Sequence, residues 1–138
     1  MPVTRKDKEQ IAALFSGTCS KKSVCPVKDI MASYGDKWSM YTVLLLGRHG
    51  RLRFSELKTG IHGISQRMLT VTLRSLEEDG MVTRKLYAEV PPRVEYGLTP
   101  LGESLLKQIL QLANWAEENV TEILKARKKT AREKNTLH

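Results

Sequence analysis

Two cysteines, one polar and basic run, and one arginine behind a pair of prolines are the side chains whose chemistry stands out in this sequence. Cys25 occupies a helix-cap position, with Pro26 at the first helical residue and Lys21, Lys22 and Lys28 close by in sequence. The positive end of a helix dipole and these ammonium groups favour a thiolate, so a reactive thiol is one reading. A buried, inert thiol at a cap is the other. Cys19 can resolve an oxidised Cys25 within the chain or across a dimer, although five intervening residues neither require nor forbid a bridge. His49 and His62 have no Cys, Asp or Glu at ligand spacing, so neither a metal nor another cofactor is expected.

The polar and basic run is "GISQRMLTVTLRSLEEDG", residues 63–80. Ser65 can cap a helix there, with Ile64 before it and Leu69 within it placed as a hydrophobic staple. At 100° per residue Leu69, Thr72, Leu73 and Leu76 share one face, and Arg67, Thr70, Val71 and Arg74 look the other way. Both arginines precede the acidic cluster Glu77, Glu78 and Asp79, an order that the helix dipole does not favour. The first half of the helix can therefore approach phosphates and the second half should stay away. Ser65, Gln66, Arg67, Thr70, Val71 and Arg74 are the candidate DNA contacts, with Arg74 suited to a phosphate. The bland alternative is a solvated helix face.

Elements on either side must position that helix. "RLRFSELKTG" gives a strand-like entry at Leu52 and a brief helix carrying Phe54 and Leu57, so two helices joined by a turn precede the acidic cluster. A helix-turn-helix reader inserts its second helix into the major groove by the N-terminal end. "MVTRKLYAE" and "PRVEYGLT" then alternate with period two, Val82 and Leu86 on one face and Val94, Tyr96 and Leu98 on one face. Pro91 and Pro92 between them belong at a loop tip, because proline donates no ladder hydrogen bond. A hairpin after a recognition helix is a wing, and Arg93 behind its stiffened tip is placed to reach an adjacent minor groove or phosphate. Lys85 on the first wing strand joins the candidates, although Arg84 and Lys85 also read as ordinary solvent-facing charges.

Upstream, "TRKDKEQIAALFSG" offers Thr4 as a cap with Asp7 three residues on, an apolar face of Ile11, Leu14 and Phe15, and Gly17 as a stop. "VKDIMASYG" is a helix from Cys25 and Pro26 to Gly35, and "DKWSMYTVLLLG" reads as a largely buried helix from about Lys37 to Leu46. Downstream, Thr99 caps and Pro100 opens a long helix. Its Leu101, Leu105, Ile109, Leu112, Ala116, Val120 and Leu124 form one stripe, more apolar length than a small core covers.

With 138 residues and 41% hydrophobic content, the chain suits one domain. A formal net charge of +8 favours polyanionic partners. No apolar run approaches the roughly 20 residues that span a bilayer, and "MPVTRKDKEQ" lacks the apolar stretch of a signal peptide, so a cytoplasmic protein with no membrane partner is expected. In that compartment free or redox-active thiols are favoured over a structural disulfide.

Residues Cys25 to Val120 resemble the HxlR-type winged helix-turn-helix regulators, a bacterial and archaeal group within the MarR-like set. The likeness rests on the Cys-Pro start, the Lys-Trp pair, the Arg-Phe-x-Glu-Leu run, Gly-Ile-Ser before the recognition helix, and the Val-Pro-Pro-Arg-Val-Glu-Tyr-x-Leu-Thr wing. Asp36, where glycine is common, and the terminal extensions depart from the shared pattern. The resemblance implies a mainly α fold with a small β-hairpin wing, a homodimer on pseudo-palindromic promoter DNA, and no enzymatic activity. It also adds weight to a switch at Cys25, since some members respond to oxidants or electrophiles at this position; a small-molecule inducer is the other candidate.

The surplus stripe together with the resemblance points to dimerisation through both terminal helices, with Ile11, Leu14, Phe15, Ile109, Leu112, Trp115, Ala116 and Val120 as its residues; the alternative is that the long helix folds back on its own core. The organisation expected is an N-terminal helix and linker over 1–24, a winged domain with its dimerisation helix over 25–124, and a basic tail over 125–138. That tail, "KARKKTAREKNTLH", reads first as a frayed, solvated helix end and second as an auxiliary DNA contact. Trp38 and Trp115 are expected in core or interface. Two other functions stay open: a winged-helix module that binds protein, and a thiol-based enzyme, which the absence of a CxxC pair disfavours.

Overall fold

The computed structural model describes residues 2–16 and 27–136. Gly17, Cys19, Cys25 and Pro26, where a helix stop, a thiol pair and a cap are expected, lie outside the described residues. The element order is α1 (Arg5–Ser16), α2 (Val27–Tyr34), α3 (Lys37–His49), β1 (Arg51–Arg53), α4 (Phe54–Gly60), α5 (Gln66–Glu78), β2 (Val82–Tyr87), β3 (Arg93–Leu98) and α6 (Pro100–Thr136).

Caps set the helix starts. Thr4 and Asp7 bond reciprocally at the head of α1: the Asp7 amide donates to Thr4 Oγ1 at 3.1 Å and the Thr4 amide to Asp7 Oδ2 at 2.8 Å. The Thr4 amide first, and its hydroxyl second, hold the Asp7 carboxyl below its usual range. Asp36, the departure from the family pattern, caps α3 by accepting from the Ser39 amide at 3.0 Å and the Ser39 hydroxyl at 2.9 Å. α3 runs one turn past the expected Leu46 to His49, where Gly50 ends it by bonding back to Leu46.

The core lies where α3, α4 and α5 meet. Val43, Leu46, Leu57, Leu69 and Leu76 are fully buried, and Ile61 and Ile64 in the α4–α5 turn seal it. Thr42 is buried with them, its hydroxyl satisfied by the Trp38 carbonyl at 2.8 Å. Trp38 packs against this cluster, while Trp115 is exposed on α6.

The hairpin gains a third strand. β1 is only three residues long, yet it pairs antiparallel with β3, giving the order β1-β3-β2 with Leu52 opposite Tyr96 and Leu86 opposite Val94. Val82 is buried, whereas Leu86, on the same strand face, lies beyond the core and is exposed. At the base of the sheet, Thr99 caps α6 by accepting from the Gly102 amide at 3.0 Å, and its own hydroxyl donates to the Gly80 carbonyl at 2.6 Å. Gly102 is required by proximity: a Cβ there would sit 2.0 Å from the Met81 carbonyl oxygen.

Two sequence expectations change at the ends of the chain. Ile109 is buried in the chain's own core and so is not part of a free dimerisation surface. Residues 125–136, expected to fray, continue α6 without a break, making a helix of 37 residues, about 55 Å long.

Candidate nucleic-acid interface

The exposed face of α5 is built from its opposite face. Leu69, Thr72, Leu73 and Leu76 are all buried, which fixes the rotation of the helix about its axis and leaves Gln66, Arg67, Thr70, Val71 and Arg74 in solvent. Ser65 holds the N-terminal end, its Oγ accepting from the Met68 amide at 3.0 Å. The Thr70 hydroxyl donates to the Gln66 carbonyl at 2.8 Å, which leaves its oxygen able to accept a bond from outside. Met68, outside the sequence-level set, is 40% exposed on the first turn of this helix.

The C-terminal end of α5 is anchored as firmly. Asp79 and Gly80 close it in a Schellman turn: the Met81 amide bonds to the Leu76 carbonyl at 2.9 Å and the Gly80 amide to Glu77 at 3.0 Å, with Gly80 at φ +75°. The buried Tyr34 of α2 donates its phenol proton to the Asp79 carboxylate across 45 residues of sequence. Burial first, then this hydrogen bond and the Asp79 charge, push the Tyr34 phenol well above its usual range. Sequence reasoning missed this tie, since nothing local to Tyr34 marks its partner.

Between α5 and the sheet lies a polar groove of about 490 Å³, lined by Gln66, Thr70, Arg74 and Glu77 on the helix and by Arg84 and Tyr96 on the strands. The strand register decides which wing charge faces it. Arg84 lies opposite Tyr96, on the face that carries Val82 and Leu52; Lys85 lies opposite Glu95 on the reverse face, its ammonium 4.9 Å from the centre of the Tyr87 ring. Arg84, not Lys85, therefore stands beside the recognition helix. The signal was available in the alternation, because a residue between Val82 and Leu86 with the same period must share their face.

Arg93 does not project from the tip. It is the first residue of β3, with a side chain only 28% exposed, its Nη2 3.1 Å from Glu89 and its Nε 3.3 Å from Glu95. Its guanidinium also lies 4.2 Å from the centre of the Tyr87 ring. Two carboxylates thus compensate the charge expected to reach DNA, and the guanidinium braces the wing internally. The tip itself is formed by Val90, Pro91 and Pro92, with Val90 fully exposed.

A helix-turn-helix of α4 and α5 followed by a wing of β2 and β3, with a polar and basic outer face on the second helix, defines a winged helix-turn-helix protein. The HxlR-like helix-turn-helix family model matches residues 33–124, and the chain belongs to this family. It is 40% identical over 107 residues to the HTH-type transcriptional regulator YtfH of Escherichia coli strain K12, covering 78% of this chain and 84% of that protein. Among solved structures it is similar to the transcriptional regulator ytfH of Salmonella typhimurium, with a TM-score of 0.68, 36% identity, and coverage of 80% of this chain and 97% of that one. It is also similar to the redox regulator HypR in its oxidised form, with a TM-score of 0.62, 42% identity, and coverage of 69% and 97%. The chain is a transcriptional regulator of helix-turn-helix type. No helix among the described residues is long and apolar enough to cross a membrane.

Proposed function

We propose that this regulator binds a pseudo-palindromic promoter site as a homodimer, each copy placing the N-terminal half of α5 in the major groove. The observation that carries the proposal is the fixed outer face of α5, with Gln66, Arg67, Thr70 and Val71 exposed on its first two turns while the whole opposite face is buried. A helix about 10–12 Å across fits a groove about 12 Å wide. Arg67 and Gln66 carry the donors and acceptors suited to guanine and adenine edges, Val71 offers a methyl contact, and Arg74 and Arg84 flank the groove as phosphate partners. Glu77 and Glu78 keep the far end of the helix off the backbone. Arg93 and Lys85 brace the wing behind this face and act on DNA through its position.

The dimer is supported by apolar side chains that the described residues leave uncovered. On α6, Leu112 and Trp115 are more than half exposed and Ala116 and Val120 lie in solvent; on α1, Ile11 and Phe15 are exposed and Leu14 is half-buried. A two-fold pairing of these helices would set the recognition helices about 34 Å apart, one turn of DNA. A thiol switch at Cys25, with Cys19 as resolving partner, rests on the Cys-Pro position in the sequence and on the similarity to a redox regulator. The test is fluorescence anisotropy on duplexes tiled across the DNA flanking the gene, before and after diamide. Tight binding to one tile supports the regulator, and its loss on oxidation, prevented in Cys25→Ser, supports the switch. Equal weak binding to every tile would favour a protein-binding module instead.

A further inference from the structure

The formal charge of +8 does not reside in the winged domain. Between residues 33 and 124 eleven basic and eleven acidic side chains cancel, so +5 lies in residues 125–138 and +3 in residues 1–32. The distal part of α6 therefore holds most of the excess, and it lies beyond the stretch that the family model matches.

Its arrangement is not that of a mixed solvated face. Lys125, Lys128, Lys129 and Arg132 follow i, i+3, i+4, i+7 spacing, which puts all four within about 100° of arc on one side of the helix. All are exposed, and among the described residues none forms an ion pair with a carboxylate. Like charges at these spacings oppose the helix, yet the helix continues through them to Thr136. Along the same side the charge changes sign abruptly, from Glu118 and Glu122 to Lys125.

We propose that this stripe is a second DNA-binding surface, one that holds the phosphate backbone without reading sequence and supplies much of the salt-dependent affinity that the neutral winged domain lacks. The proposal rests on the reading of the chain as a DNA-binding protein. A lipid surface fits poorly, because an interfacial helix needs large apolar side chains opposite its basic face, and here that side carries Arg127, Thr130, Ala131 and Lys134. Phosphates along a duplex match a linear array of ammonium and guanidinium groups directly.

The test compares the chain with its K125Q/K128Q/K129Q/R132Q variant, glutamine being chosen to keep helix propensity. Affinity is measured on a random 40-base-pair duplex and on a duplex selected for tight binding, from 50 to 200 mM salt, with sedimentation in parallel. The slope of log affinity against log salt should shrink by about 0.9 for each phosphate that the variant no longer neutralises, up to about 3.6 per chain, equivalent to as much as about 150-fold over that range. The preference for the selected duplex should be unchanged. An unaltered slope overturns the proposal, and an unaltered slope with weakened self-association would assign the stripe to the acidic cluster of a second copy. If the wild-type chain prefers no duplex yet loses its slope in the variant, the stripe stands and the sequence-reading proposal falls.

Discussion

Replacing Tyr34 by phenylalanine removes one oxygen and leaves the ring where it is. The phenol of Tyr34 is the tie between α2 and the C-terminal end of the recognition helix, donating to the Asp79 carboxylate from a buried site. A hydrogen bond to a charged group contributes about 1.5–3 kcal/mol. Asp79 is exposed and water can replace the phenol, so the lower end applies, about 1.5 kcal/mol, or about 5 °C in Tm for a chain of this length. The pH dependence gives a sharper check. The Tyr34 phenol is raised above its ordinary range in the folded chain, so the unfolded state loses this proton first as pH rises through about 10. Stability from this group is fully present below pH 10 and declines above it, by about 1.4 kcal/mol per pH unit. Urea denaturation should therefore show Tyr34→Phe less stable by about 1.5 kcal/mol at pH 8, with the gap nearly closed by pH 11. A gap that is absent at pH 8, or that persists unchanged at pH 11, would refute the role given to this hydrogen bond.

Other substitutions separate the two sides of the wing and the junctions that hold it. Arg84→Ala should weaken binding to a selected duplex by about 10-fold or more, whereas Lys85→Ala should change it less than about 3-fold, both read by anisotropy. Gly102→Ala drives a Cβ into the Met81 backbone and should cost about 3 kcal/mol, seen as a lowered urea midpoint at unchanged slope. Ser65→Ala removes the cap of the recognition helix and should cost about 1 kcal/mol in the same assay, with Ser65→Thr restoring most of it.

The recognition helix was legible because its determinants are local. Ser65, the Ile64–Leu69 staple and the four-residue buried face all follow from spacing within one short run, and the structure buries those four residues together. Thr4 with Asp7 and the Thr99 cap of α6 were legible for the same reason. What the sequence concealed is non-local or set by register. Tyr34 meets Asp79 only once α2 folds over the end of α5. β1 is too short to announce itself and exists because β3 offers it an edge. Arg93 read as a free tip because no local rule shows that Glu89, Glu95 and Tyr87 converge on it. Ile109 belongs to the same stripe as Leu112 and Val120, and only the packing of α6 shows where the chain's own core stops along it.

The central claim, that the outer face of α5 reads DNA sequence, is tested most directly by selecting duplexes from a random pool with the reduced chain and measuring their affinity beside Arg67→Ala. An enriched motif with two inverted half-sites about one helical turn apart is expected, and a loss of about 1–3 kcal/mol with relaxed preference at one position of each half-site in the variant. A pool that yields no motif, or a motif bound equally well by Arg67→Ala together with Gln66→Ala, would contradict it.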